Sequence, residues 1–126
     1  MRFYTKQHRY YCGIDLHARS MYVCILDARG EILLHRNLPC APELFLKVVA
    51  PSREEMAVAV ECIFTWYWLA DLCAKHNIPF ILGHALYMKA IHGGKKKDDK
   101  LDSENIARLL RGGTFPLSYV YPREMR

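Results

Sequence analysis

The spacing of apolar positions changes period several times along the chain, and each change marks an element. Residues 9–16 (RYYCGIDL) are aromatic and β-branched, which predicts a strand ending near Asp15. Residues 21–27 (MYVCILD) predict a second strand. Asp27-Ala28-Arg29-Gly30 is turn chemistry, with Gly30 able to take positive φ. Over residues 31–38, Ile32, Leu34 and Arg36 alternate with Leu33 and His35, so a third strand pairs with the second as an antiparallel hairpin.

Pro42 opens a short helix, because proline suits the first helical position. Glu43 sits in its first turn, Leu44, Phe45, Val48 and Val49 form its apolar face, and Pro51 and Ser52 stop it. Residues 56–60 (MAVAV) are apolar without a break, the pattern of a central strand covered on both faces, with Glu61 at its end. A helix over residues 65–76 carries Leu69, Leu72, Cys73 and His76 at helical spacing and is closed by Asn77 and Pro79. Residues 80–83 (FILG) form the next strand. A short helix over 84–91, a loop from Gly93 and Gly94, a helix over 99–111 and a strand over 118–121 complete the reading. A three-strand antiparallel meander followed by βαβ units is an α/β mixed sheet of ribonuclease H-like arrangement. The expected organisation is a tail over 1–9, one domain over 10–121, and the first residues of a further helix over 122–126, whose stop points to a truncated chain.

Composition narrows the function. The 126 residues, 52% hydrophobic and 25% charged, fit one globular domain and exclude disorder throughout. A net charge of +5 fits a polyanionic partner such as nucleic acid. The 5 cysteines are odd in number, have no C-x-x-C pair and fall mostly in apolar runs, so they read as reduced core residues. The first nine residues are polar and basic, and the longest apolar stretch is broken by Glu61. Neither a secretion signal nor a membrane span is expected, and the expected location is the prokaryotic cytoplasm.

Four acids stand at the edges of these elements. Asp15 ends the first strand, Glu61 ends the central one, and Asp99 and Asp102 lie three apart in the first turn of a helix. Adjacent strand ends of such a sheet converge on one rim, and a helix packed on the sheet brings its first turn there. Four carboxylates meeting at one rim repel, and two divalent cations would cancel their charge. With those four set against metal, nine of the 13 acidic residues remain against 18 basic ones. Lys95, Lys96, Lys97 and Lys100 lie beside the acids, where a phosphate backbone would run. Each feature alone has a plainer reading: strand closure for Asp15, helix capping for Asp99 and Asp102, a solvated loop for the lysines. Their coincidence at one rim favours a site. His17, two residues past Asp15, lies on the same strand face if the strand continues, and Trp66, Tyr67 and Trp68 fit core packing better than base stacking.

Three segments together resemble a known family: Tyr11-Cys12-Gly13-Ile14-Asp15-Leu16-His17, Val60-Glu61-Cys62, and Lys97-Asp98-Asp99-Lys100-Leu101-Asp102-Ser103. It is the DEDD-type transposases of the insertion sequence 110 family. The resemblance implies a RuvC-like, ribonuclease H-like N-terminal domain whose four metal-binding acids match Asp15, Glu61, Asp99 and Asp102, with two Mg²⁺ or Mn²⁺ ions serving DNA cleavage and strand transfer. It also implies DNA as partner, a structured guide RNA from the element, a homo-oligomer, and a second domain with a serine nucleophile that this chain does not contain. The family's last motif often reads Thr-Asp-x-x-Asp-Ala; here Asp98 stands for the threonine and Ser103 for the alanine. Two alternatives stay open: a nucleic-acid-binding remnant without chemistry, and a stand-alone metal nuclease using water as nucleophile.

Overall fold

The computed structural model describes residues 2–61, 65–84 and 98–118. Strands β1 (Phe3–Tyr4), β2 (Tyr10–Leu16), β3 (Ser20–Asp27) and β4 (Ile32–Pro39) precede helix α1 (Pro42–Val49). Strand β5 (Met56–Glu61), helix α2 (Tyr67–Lys75), strand β6 (Phe80–Gly83), helix α3 (Asp99–Arg111) and strand β7 (Phe115–Pro116) follow. The main sheet has five strands in the order β4-β3-β2-β5-β6. The first three pair antiparallel, while β2–β5 and β5–β6 are parallel. This is the expected meander running into βαβ units.

Local chemistry sets the joints. Asp27 accepts hydrogen bonds from the Arg29 and Glu31 N–H groups, and Gly30 takes φ +89°, which closes the β3–β4 hairpin. At the end of α2, Asn77 takes φ +57°, a conformation that asparagine tolerates better than most residues.

Alternation along the strands divides the core in two. Cys12, Ile14, Leu16, Val58 and Val60 face α1 and α2, where Phe45, Val49, Leu69 and Cys73 cover them. Tyr11, Cys24, Leu26, Ala57 and Ala59 face α3 and meet Ile106, Ala107 and Leu110. The middle of this second face is lined by small residues, so α3 lies close on the sheet. A Cβ on Gly13 would stand 2.3 Å from the Ala107 nitrogen. Only glycine admits the helix backbone there.

Past Ser118 the expected strand over 118–121 lies outside the described residues, and just before it the chain forms a strand that the pattern did not predict. This strand, β7, pairs with β1, inside the segment expected as a tail. Beyond β7, Leu117 bridges to Gly83, and the Ser118 N–H donates to the Leu82 carbonyl at 2.7 Å. The cause is Phe115, whose fully buried ring fills the space over Gly83 and draws the chain onto β6. Past His84 the expected helix over 84–91 lies outside the described residues, as do residues 119–126. Among the described residues, Cys12, Cys24 and Cys73 are buried and Cys40 half-buried, all as free thiols. Burial pushes Cys24 up to about 11 and Cys73 up to about 12, so neither forms thiolate near neutrality. No helix among the described residues is long and apolar enough to cross a membrane.

Candidate metal centre

The parallel pairing of β2 with β5 aligns Ile14 with Val60, so one further step sets Asp15 level with Glu61. Side chains alternate along a strand, so Tyr11, Gly13 and Asp15 form one row and Ala57, Ala59 and Glu61 the next. Both rows belong to the face that α3 covers. On the other side of β2, Asp15 pairs with Tyr22. His17 follows in the same row, its N–H bonded to the Ser20 carbonyl in the turn into β3.

Helix α3 supplies the opposing wall. Its N-cap is Asp98, whose carboxylate accepts from the N–H groups of Lys100 at 3.0 Å and Leu101 at 3.3 Å. A threonine oxygen can fill the same role, which accounts for an acid where the resembled motif carries threonine. With Asp98 occupied at the cap, its neighbour Asp99 reaches toward β2.

The His17 Nε2 lies 3.2 Å from an Asp15 oxygen and 3.2 Å from an Asp99 oxygen. One ligand atom from each of Asp15, His17 and Asp99 falls within 4.8 Å of the others. Asp15 is only 6% exposed. Its burial, then the hydrogen bond with Asp99, pushes its carboxyl up to about 6, while His17 pulls it the other way. Two oxygen donors and an imidazole so close together fit a divalent cation: carboxylate suits Mg²⁺ and Mn²⁺, and imidazole adds preference for transition ions.

A family model described as a transposase, of the DEDD type of insertion sequence 110, matches residues 12–126. The chain belongs to this transposase family. Comparison with curated proteins gave no match. Among solved structures, Thermus thermophilus RuvC in complex with a Holliday junction substrate is similar, with a TM-score of 0.60 and 16% identity over 88% of this chain and 100% of that one. A second Thermus thermophilus RuvC structure has a TM-score of 0.57 at 16% identity, covering 86% of this chain and 99% of that one. The fold of this transposase-family chain is therefore RuvC-like.

The four acids read from the sequence take distinct places. Asp15 and Asp99 belong to the tight group. Glu61 is half-buried on the neighbouring strand, and Asp102 is half-buried one turn along α3 from Asp99; neither is within the 4.8 Å set. His17, which the sequence marked only by its two-residue offset from Asp15, is within it. Lys100 is exposed in the first turn of α3, while Lys95, Lys96 and Lys97 lie outside the described residues. Trp66 is buried and stacks on Phe80 as core packing. Glu104 pairs with Arg108 at 2.7 Å.

Proposed function

We propose that residues 10–121 are the catalytic domain of a DNA transposase, in which Asp15, Glu61, Asp99 and Asp102 hold two divalent cations for strand cleavage and transfer. The observation that carries this reading is Asp15, a buried carboxylate with a second carboxylate, Asp99, against it at the strand-end rim. Two acids so placed repel unless a proton or a cation lies between them. Bound Mg²⁺ or Mn²⁺ would polarise the scissile phosphate and stabilise the attacking and leaving oxygens.

The chain's own residues do the positioning. Asp15 is held by pairing with Tyr22 on β3, directly after Ile14, which pairs with Val60 of β5, and Glu61 ends that adjacent strand. Asp99 and Asp102 are carried by a helix whose first turn is capped by Asp98. His17 bridges the two walls and serves as a third donor or as a hydrogen-bonding partner of the acids. Lys100, with Lys95, Lys96 and Lys97, meets the phosphate backbone. The +5 net charge supports a nucleic-acid partner, and the similar Thermus RuvC is seen with a Holliday junction. A guide RNA, a homo-oligomer and a serine nucleophile from a further domain follow from the family resemblance and belong to the same proposal.

Thermal melting with and without Mn²⁺ or Mg²⁺ tests the centre. A cation at 100 times its dissociation constant adds about 2.7 kcal/mol, roughly 10 °C or somewhat less for a chain of this size. The expected result is stabilisation of the parent and none in Asp15→Asn or Glu61→Gln. If the cations leave the parent unchanged while it binds DNA in a salt-sensitive manner, the chain is a binding module and the catalytic reading fails.

A further inference from the structure

Helix α3 is fastened to the sheet at separate points along its length. Its middle rests on Gly13, through Ser103 and Ala107. Its C-terminal half is tied to the β3–β4 hairpin, where Arg108 donates to the Gly30 carbonyl at 3.3 Å and Arg111 to the Ala28 carbonyl at 3.0 Å. The first turn carries Asp99 and Asp102, and there the sheet contributes His35. The His35 Nε2 lies 2.8 Å from the Lys100 carbonyl and 3.1 Å from the Ser103 hydroxyl. The Ser103 hydroxyl donates to the same carbonyl at 2.8 Å, so its proton is used and Nε2 must supply the hydrogen for both contacts.

The position of His35 is itself determined. It pairs with Cys24 across β3–β4, and its ring packs edge-on against Tyr22 at 5.3 Å between centroids. Tyr22 in turn is the β3 partner of Asp15. A chain of contacts thus runs from the strand that carries one acid, through an aromatic ring and an imidazole, to the backbone between the two helical acids. The geometry points to His35 as a positioning residue: with Ser103, it holds the first turn of α3 where Asp99 reaches Asp15. This rests on the metal-centre reading given above.

Hydrogen bonds made directly to ligating side chains change metal affinity by about 10- to 100-fold when removed. His35 acts one step further out, through the backbone of the helix turn, so the lower end of that range is expected. The test compares the parent, His35→Ala and His35→Gln by direct Mn²⁺ titration and by melting without metal. Glutamine can place an amide N–H near the position of Nε2. The expected result is about tenfold weaker Mn²⁺ binding in His35→Ala, recovery to within about threefold in His35→Gln, and metal-free melting within a few degrees of the parent. Equal Mn²⁺ affinity in the parent and His35→Ala would overturn the assignment. Amide hydrogen exchange of the metal-free chain separates this from the metal reading. If the parent binds no Mn²⁺, the metal centre fails, and exchange still decides the clamp. Faster exchange in His35→Ala at residues 102–104, with residues 107–110 unchanged, supports it, and unchanged exchange throughout refutes it.

Discussion

The carbonyl oxygen of Ser103 lies 2.4 Å from the point where a Cβ on Gly13 would stand. The contact joins the strand that carries Asp15 to the helix that carries Asp99 and Asp102, two residues before the first in the same row and about one turn from the others. The obstructing atoms are backbone, so a side chain cannot swing aside to make room. Gly13→Ala must lift α3 from the sheet. Overpacking of this kind costs about 1–3 kcal/mol, occasionally more. We expect melting to fall by roughly 5–15 °C and metal-induced stabilisation to fall with it. Gly13→Ala melting like the parent would show that α3 is not seated as described.

Asp15 links the geometry to pH. Its carboxyl is raised from 3.8 to about 6 by burial and by Asp99. Between those values the native state holds a proton that the unfolded chain has released, so this group makes stability fall as pH rises through that window. Above about pH 6 the full cost is present; below about 4 it is absent. Asp15→Asn removes the charge while keeping the shape. Without metal, the variant is expected to melt above the parent at pH 7.5, by roughly 1–3 kcal/mol, with the gap closing as pH falls toward 4. A gap independent of pH would mean that Asp15 is not buried against a second acid.

Much of this fold is legible in the residues. The 56–60 run, the turn at Gly30, proline at the start of α1 and the paired glycines after α3 each belong to a strong local pattern, and the elements follow them. The short β1–β7 pairing is not legible, because two-residue strands have no period and depend on Phe115 finding Gly83. The four acids are legible as candidates by their positions at element ends. His17 is less so, since its contact with Asp99 spans 82 positions of sequence and exists only once α3 has docked. The same holds for His35, which in the sequence is only a polar residue alternating on an edge strand.

Asp98 and Asp99 are adjacent acids with different duties, and substitution separates them. Asp98 caps α3 through two backbone N–H groups. Asp98→Ala is expected to cost about 1 kcal/mol, a few degrees of melting, while leaving metal-induced stabilisation largely in place. Asp99→Asn is expected to do the reverse: metal-free stability is kept or slightly raised, and the response to Mn²⁺ is lost. If the two variants exchange these behaviours, the register of the first turn is shifted by one residue and the metal ligands must be reassigned.

His17 bears on which cation the proposed centre would take. Its Nε2 is 3.2 Å from each of two acids, close enough to share an ion with them after a small ring rotation. Imidazole is a good ligand for Mn²⁺ and the later transition ions and a poor one for Mg²⁺, which prefers oxygen and retains its water. If His17 is a donor, His17→Ala should weaken Mn²⁺ binding by about tenfold or more and change Mg²⁺ binding little. If it acts only as a hydrogen-bonding partner that orders the two carboxylates, both ions should lose affinity by similar factors. Parallel titrations of the parent and His17→Ala with the two ions distinguish these roles, and unchanged affinity for both would exclude His17 from the centre.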